Sequence, residues 1–334
     1  PLFRLMNAPD NLLPLIRDYM DPFALAFPFL LLLMGFNGVL RGQGEAKMSS
    51  FINVAYAAVN WVLDPIMITG AFGFEGMGIA GAAWATLIGW AVAVVLAVIC
   101  AGRTHLPFNP ALIRQCEKPR EPILAIMRVA GPASFSNAIN PIGLSVLTAL
   151  IALEGQDAVA AFGAAGRLQS FAIVPLLALS GSIGAIVGQN WGANQPERSR
   201  AAARGAGLFS VIYGLVIAVA LVAAAKWFAC FFTDDPAIVR QFSRYLEIAA
   251  WGYAGFGLLI VGNGILNAVD KAGLALAQSC ARVFLVMLPF GWLLRASYGS
   301  DAIYAAELIA NLAGGALAAF IVWRILRAGP EKVG

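Results

Sequence analysis

The sequence is poor in charged residues, and this shortage decides the class of protein. Only 12% of its 334 residues are Asp, Glu, Lys or Arg, whereas 60% are hydrophobic. A soluble globule of this size needs more polar surface than such a composition supplies. The chain is therefore expected to be an integral membrane protein that contacts the lipid bilayer.

Histidine and closely spaced cysteines are lacking as well. His105 is the single histidine, and the four cysteines are scattered without the spacing of a zinc site or a disulfide framework. The formal net charge of only +4 gives no reason to expect a nucleic-acid partner. We expect no cofactor and no metal other than a transported ion.

Long uncharged runs predict the membrane spans. A spanning helix needs roughly 18 or more apolar residues. Seven runs qualify and are free of charge apart from Asp64; they cover residues 22–40, 49–74, 76–102, 129–153, 168–196, 205–225 and 248–269. Two further spans carry one charge each, Arg282 within 272–294 and Glu307 within 302–323. The sequence thus predicts an all-α integral membrane protein with nine transmembrane helices.

Basic residues gather in alternate loops and at the C-terminal end. They are Arg41 and Lys47; Arg103, Arg114, Lys118 and Arg120; Arg198, Arg200 and Arg204; and Arg324, Arg327 and Lys332. Because loops rich in Lys and Arg stay in the cytoplasm, we expect these loops and the C-terminus to be cytoplasmic.

An internal repeat predicts two lobes. Residues 17–40 resemble residues 243–266, with Asn37 matching Asn263 at an offset of 226 positions. The first and seventh spans are then copies that cross in the same direction, as in parallel six-helix repeats. The first lobe would hold only three of its six helices, so nine of twelve are expected here and three are expected before Pro1. We predict lobes at 1–102 and 122–334, joined by a cytoplasmic linker at 103–121.

The most informative polar residues lie on the second span. Asn53, Asn60 and Asp64 are seven and four positions apart, so on a helix they share one face. An ionised carboxylate at mid-bilayer costs roughly 2.5–3.5 kcal/mol, so Asp64 should point into the helix bundle or a watered cavity. Pro65 has no N–H to give to the carbonyl of Trp61 and frees a backbone oxygen beside the carboxylate.

Carboxylate, amide and carbonyl oxygens together suit a hard cation such as Na⁺, and the carboxylate alone suits H⁺. Asp64 is therefore a candidate ion-binding residue, with Asn60 as partner and with Asn53 and Pro65 in support. The alternative is that Asp64 only hydrogen-bonds a neighbouring helix. Thr86, after the small-residue segment 78–83, is by itself more typical of helix packing.

The fourth span, 129–153, is the most polar of the uncharged spans and is expected to be interrupted by Pro132 and Pro141. Its side chains Ser136, Asn137 and Asn140 are candidates for the wall of a substrate cavity. Hydrogen-bonded packing between helices is the alternative interpretation.

With these residues in hand, the chain resembles the multidrug and toxic compound extrusion (MATE) transporters, and within them the DinF-like prokaryotic branch. The matching segments are LRGQGE at 40–45, NWVLDP at 60–65, GIAGAA at 78–83 and VGQNWGA at 187–193. The resemblance implies a two-lobe antiporter of the bacterial cytoplasmic membrane, expected to be a monomer, that exports organic cations in exchange for Na⁺ or H⁺.

The resemblance also implies a set of ion ligands. In this branch the ion site uses an Asn and an Asp on the fifth helix, a Thr on the sixth and an Asp on the first. Asn60, Asp64 and Thr86 match the first three, and the fourth would lie upstream of Pro1. Other branches place acids on the seventh and tenth helices, where this sequence has Asn140 and no acid near Phe256.

Two other functions compete with this one. A lipid-linked oligosaccharide flippase shares the two-lobe design, but its cavity would need several basic residues for a pyrophosphate group. An intramembrane transferase enzyme would need paired carboxylates or a metal cluster at a membrane face, and the sequence shows neither.

Overall fold

The computed structural model of the protein describes residues 13–71, 73, 75–104 and 120–329, and these residues form helices and turns without a strand. Nine helical segments in this part of the chain are long and apolar enough to cross a membrane. The predicted all-α class and the count of nine spans are confirmed, including the two spans that carry Arg282 and Glu307.

The helices are numbered α1 to α12 in chain order. They are α1 Leu13–Gly42, α2 Ala46–Thr69, α3 Ile79–Ala101, α4 Arg120–Ile151, α5 Gln156–Gly192, α6 Pro196–Ala223, α7 Ala225–Phe232, α8 Pro236–Ala249, α9 Tyr253–Ala268, α10 Ala272–Cys280, α11 Leu288–Tyr298 and α12 Ser300–Ala328. Short 3₁₀ segments, Ala152–Glu154 and Ala250–Gly252, follow α4 and α8. A π-helical segment, Ala281–Met287, joins α10 to α11.

The chain divides into two compact units, Pro1–Glu117 and Lys118–Gly334. Most of the predicted linker, 105–119 with His105 and Cys116, lies outside the described residues, so the lobe boundaries at 102 and 122 stay a prediction.

In the first unit, α1 and α2 both pack against α3. Leu33 and Leu40 of α1, Ile52 of α2 and Trp90 of α3 form the buried core of this unit. In the second unit, α9 lies at the centre and packs against α5, α6 and α12. Its central position explains why the span that contains it, Pro236–Ala268, is the most deeply buried of the nine found in the described residues.

The small-residue segment 78–83 brings α3 against the end of α2, as the sequence predicts. The backbone N–H groups of Met77 and Gly78 donate to the carbonyls of Met67 and Ile68 at 2.8 and 3.1 Å. A Cβ atom on Gly81 would lie 2.1 Å from the Met67 carbonyl oxygen, which no side chain can do. The absence of a side chain at Gly81 is thus what fixes α3 beside the half of α2 that carries Asp64.

Helix α4 corrects one expectation from the sequence. It runs from Arg120 to Ile151 through Pro132 and Pro141, so the predicted interruption is wrong. The carbonyl that Pro141 leaves without an N–H partner is that of Asn137, four residues before it. Hydroxyl side chains and neighbouring helices can satisfy backbone groups near a proline in a membrane helix, so the helix continues.

We predict that Gly81→Ala destabilises the protein, because its methyl group would overlap the Met67 carbonyl. Overpacking of this kind costs about 1–3 kcal/mol. Thermal unfolding of the detergent-solubilised protein measures the effect.

Gly38→Ala is the control for that change, since a Cβ atom on Gly38 meets nothing within 4 Å. It should leave the melting temperature unchanged or raise it, because alanine favours a helix over glycine by about 1 kcal/mol. Equal melting temperatures for the two variants would show that the α2–α3 contact is not tight.

Candidate functional site

Helix α2 places Asn60 and Asp64 one turn apart on one face, as their spacing predicts. The Asn60 amide nitrogen Nδ2 donates to Asp64 Oδ1 at 3.3 Å. Both residues are half-buried, whereas Trp61 on another face of the helix is 81% exposed. Between Lys47 and the end of α2, Asp64 is the only charged residue.

Asp64 has few partners for a carboxylate in a membrane helix. The Asn60 amide is the one hydrogen-bond donor that the described residues offer it, and the bond is long at 3.3 Å. A carboxylate has two oxygens and about four acceptor positions. Most of the capacity of Asp64 to bind a proton or a cation is therefore unused.

Thr86 lies on the helix that packs beside this pair. One turn further along α3, a Cβ atom on Gly89 would lie 3.7 Å from Asn60 Cβ, so the two helices touch here. The Thr86 hydroxyl donates to the Ala82 carbonyl at 2.9 Å, and no hydrogen bond joins it to Asn60 or Asp64. Its oxygen keeps lone pairs that can bind an ion, but the structure does not bring the three predicted ligands into direct contact.

Asn53 belongs to a different polar cluster. Its Oδ1 accepts from Asn37 Nδ2 at 3.1 Å, and Asn37 Oδ1 accepts from the buried Ser49 hydroxyl at 2.8 Å. These bonds link α1 to α2 well away in sequence from Asp64. Asn53 thus holds two helices together, and its support of the ion site stays a prediction.

The cluster around Asn37 recurs in the second unit. Asn263, the repeat partner of Asn37, donates from Nδ2 to the Ser279 hydroxyl at 3.1 Å, and Ser279 is the residue 16 positions later. In the first unit Asn37 bonds Asn53, also 16 positions later. The repeat seen in the sequence therefore includes the same polar link between consecutive helices.

Asn60 and Asp64 have no such copy. The corresponding stretch of the second unit, residues 283–292, reads VFLVMLPFGW and holds neither an amide nor an acid. The polar pair on α2 is thus not needed to build the repeated helix arrangement, and a specific function is the better explanation of it.

Pro65 lies within α2 and does not end it. The Thr69 hydroxyl donates to the Pro65 carbonyl at 2.7 Å, so this oxygen is already engaged. The carbonyl that Pro65 cannot reach with an N–H is that of Trp61, one turn before it. This leaves the Trp61 oxygen as the backbone ligand that the sequence predicts.

The second unit holds a buried basic centre that sequence reasoning only partly found. Arg282 is 5% exposed and lies in the π-helical segment. Its guanidinium donates to Asn311 Oδ1 at 2.6 Å and to Asn140 Oδ1, and it lies 5.1 Å from the ring centre of Phe256. Because Arg282 is buried, it does not reach toward the membrane surface.

Glu307 on α12 is the buried acid of the same unit. It is 6% exposed, and its two oxygens accept from Gln169 Nε2 at 2.8 Å and from the Tyr245 hydroxyl at 3.0 Å. No ion pair within 4 Å joins it to Arg282, but the two charges attract each other. The second unit therefore holds its own intramembrane acid by two hydrogen bonds.

The three residues predicted for a substrate cavity have different surroundings. Ser136 is 3% exposed and shares a hydrogen bond of 2.9 Å with Ser279. Asn140 is held by Arg282, and Asn137 is exposed. Only Asn137 presents a free polar surface, so the substrate cavity stays a prediction that rests mainly on this residue.

The charged pair Arg282 and Glu307 had one signal in the sequence. Two consecutive spans, each otherwise uncharged, carry a single charge of opposite sign, and intramembrane charges are usually paired. Their amide partners Asn140 and Gln169 lie 142 and 138 positions away in the chain, which no local pattern reveals.

Among the described residues, no group of three or more His, Cys, Asp or Glu side chains lies close enough to hold a metal ion. An ion at Asp64 would accordingly use one carboxylate together with amide, hydroxyl and carbonyl oxygens. That set suits a monovalent cation or a proton better than a tightly held divalent metal.

We predict that Arg282→Met destabilises the protein by about 1–3 kcal/mol, because it leaves the buried oxygens of Asn140 and Asn311 without their donor and removes a positive charge from the unit that holds Glu307. The double variant with Glu307→Gln should recover part of that loss, since the introduced amide is neutral and can still bond Gln169. Chemical or thermal denaturation in detergent measures both.

The decisive quantity in this experiment is the coupling energy between the substitutions at Arg282 and Glu307. A coupling energy above about 1 kcal/mol would confirm that the charges compensate each other. Additive effects would contradict it and would mean that the amides alone satisfy each charge.

Comparison with known proteins identifies the family of the chain. The sequence profile of the MatE family matches residues 1–66 and 132–293. A FAD transporter of Shewanella oneidensis is 33% identical over 325 residues, which cover 97% of this chain and 72% of that protein. The probable multidrug resistance protein YoeA of Bacillus subtilis is 28% identical over 77% of this chain and 56% of its own length.

Solved structures give the same answer for the fold. The Vibrio cholerae MATE transporter VcmN in its bent form superposes with a TM-score of 0.89 and 26% identity. The match covers 98% of this chain and 73% of that one. The MATE fold predicted from the sequence motifs is thereby confirmed.

Proposed function

The chain belongs to the MatE family of membrane transporters, and we propose that it exports organic molecules from the bacterial cytoplasm as a cation-coupled antiporter. Members of the family are transporters, so the alternative of an intramembrane enzyme is excluded. The observation that carries the proposal is Asp64, a half-buried carboxylate whose single hydrogen bond leaves room for an ion.

Asp64 couples the ion to the conformational change. In one state of the transporter it binds H⁺ or Na⁺, and in the other it releases the ion. Asn60 orients the carboxylate, and the Thr86 hydroxyl and the Trp61 carbonyl are the further oxygens offered to a cation. The ion and the substrate must bind preferentially to opposite-facing states of the transporter. A ligand that binds both states equally well does not shift the equilibrium between them.

The proposed substrates are organic cations, as the family resemblance implies, and several relatives are named multidrug resistance or multidrug export proteins. A second candidate is an anionic flavin nucleotide, which is favoured by the relative named FAD transporter, 33% identical over 97% of this chain. The basic loops and the C-terminus would face the cytoplasm in either case.

The first test uses the complete gene product in proteoliposomes. A fluorescent organic cation and FAD are followed in parallel under an imposed pH gradient or an imposed Na⁺ gradient. Asp64→Asn should lower gradient-driven transport about tenfold or more, because the neutral amide mimics a permanently occupied site.

Asp18→Asn is the matched control, since Asp18 is an exposed acid on α1 of the same unit. It should transport like wild type. If Asp64→Asn also does, Asp64 is a packing residue and the coupling proposal fails. If neither gradient moves either substrate, the flippase becomes the leading interpretation.

Thr86→Val distinguishes the two ions. If Na⁺ binds at Asp64 with the Thr86 oxygen among its ligands, Thr86→Val should raise the half-saturating Na⁺ concentration on the order of tenfold. Removing a group that supports an ion site typically weakens ion binding by at least that much. If H⁺ is the coupling ion, this nearly isosteric change should leave the pH dependence of transport unchanged. Transport rates across a Na⁺ titration and a pH titration separate these outcomes.

A further inference from the structure

A groove on the second unit combines an apolar floor with a basic mouth. It lies between α6, α9 and α12 and has a volume of about 640 Å³, within the range of roughly 300–1,000 Å³ that small-molecule sites occupy. Val261 and Ala318 form its buried floor, and the exposed Leu208 and Trp323 stand on its rim. These three helices are candidate membrane spans, so the apolar floor lies at a depth where lipid acyl chains occur.

Three arginines line the groove near its basic mouth: Arg200, Arg204 and Arg327. Arg200 donates from Nε to the Leu326 carbonyl at 2.9 Å and from a terminal nitrogen to the Arg327 carbonyl at 3.5 Å. These bonds tie α6 to the last turn of α12. They also leave three of the five guanidinium N–H donors for another acceptor.

The other two arginines are more open. Arg327 is exposed and its guanidinium carbon lies 5.2 Å from the ring centre of Trp323. Arg204 is exposed and forms no hydrogen bond or ion pair with another described residue. Both are therefore available to a ligand that arrives along the membrane surface.

Among the described residues, no acid lines the groove. After Glu197 there is no acid in α6, after Glu307 there is none in α12, and α9 has none. In the part of the chain that the structure describes, Glu197 and Asp270 are the nearest acids at this end of the helices, and neither lines the groove; Glu331, four positions after Arg327, lies outside the described residues. The lining thus carries three positive charges and no negative charge.

From this arrangement we infer that the groove is a binding site for an anionic phospholipid. An acyl chain lies on Val261 and Ala318, and the phosphate is held by Arg200, Arg204 and Arg327. Basic pockets between transmembrane helices bind anionic lipid head groups in this way, and arginine suits phosphate because its planar donors form two parallel bonds. Trp323 has the position typical of an aromatic residue at the membrane interface.

The site is independent of the proposed transport substrate and of Asp64. Its arginines join α6 to the end of α12, so a bound phosphate would add to the contacts that Arg200 already makes there. We therefore expect anionic lipid to stabilise the second unit.

The test measures lipid binding by the purified full chain in detergent. Phosphatidylglycerol and phosphatidylcholine with identical acyl chains are titrated, and retained lipid is counted by native mass spectrometry while thermal unfolding is followed. Wild type should prefer phosphatidylglycerol. Arg204→Gln with Arg327→Gln should weaken that binding on the order of 10- to 30-fold, given the usual contribution of each basic residue.

The matched control is Arg198→Gln with Arg324→Gln. It removes the same charge from the same two helices, but neither arginine lines the groove. It should keep affinity for phosphatidylglycerol within about twofold of wild type, since surface charges away from the lipid phosphate are screened. Equal losses in the two double variants would overturn the proposal in favour of diffuse surface charge.

Two further arms identify the ligand. Ala319→Phe fills the groove and should weaken phosphatidylglycerol binding, whereas Ala316→Phe, exposed on the same helix outside the groove, should not. Soluble glycerol phosphate should not displace the lipid. If Ala319→Phe binds lipid normally, or if glycerol phosphate competes fully, the site does not hold a phospholipid.

Discussion

A polar group within the hydrocarbon of a membrane must find its partner inside the protein, because no water is there to replace it. The polar clusters of both units obey this rule. Ser136, Asn263 and Ser279 satisfy one another in the second unit, and Asn37, Asn53 and Ser49 do so in the first. These groups join α1 to α2 in the first unit and α10 to α4 and α9 in the second, so the need for partners helps to set these helix contacts.

The same rule accounts for how much of the molecule the sequence predicts. The nine spans follow from composition, because lipid demands long apolar runs wherever a helix crosses. The Asn60–Asp64 contact follows from a spacing of four residues on one helix. Both are local, and both are confirmed.

What the sequence does not predict depends on contacts between distant segments. Arg282 is held inside the unit by Asn140 and Asn311, which lie far from it in the sequence. The face of α4 that carries Asn140 was expected to line a cavity, and the nearby prolines to break the helix. For Arg282 and Asn140 a neighbouring helix supplies the partner, and only the folded chain shows which neighbour that is.

The two intramembrane acids show why the first unit is the better place to look for ion coupling. Glu307 accepts hydrogen bonds from Gln169 and Tyr245, so the protein itself supplies polar partners to both of its oxygens. Asp64 accepts one long bond from a neutral amide, and no basic residue occurs in α2 after Lys47 or anywhere in α3. In a medium of low dielectric constant an unpaired charge is costly. A carboxylate that no described basic residue pairs with is the better candidate to bind a cation from solution, and this difference between the two acids is why the proposal places ion coupling in the first unit.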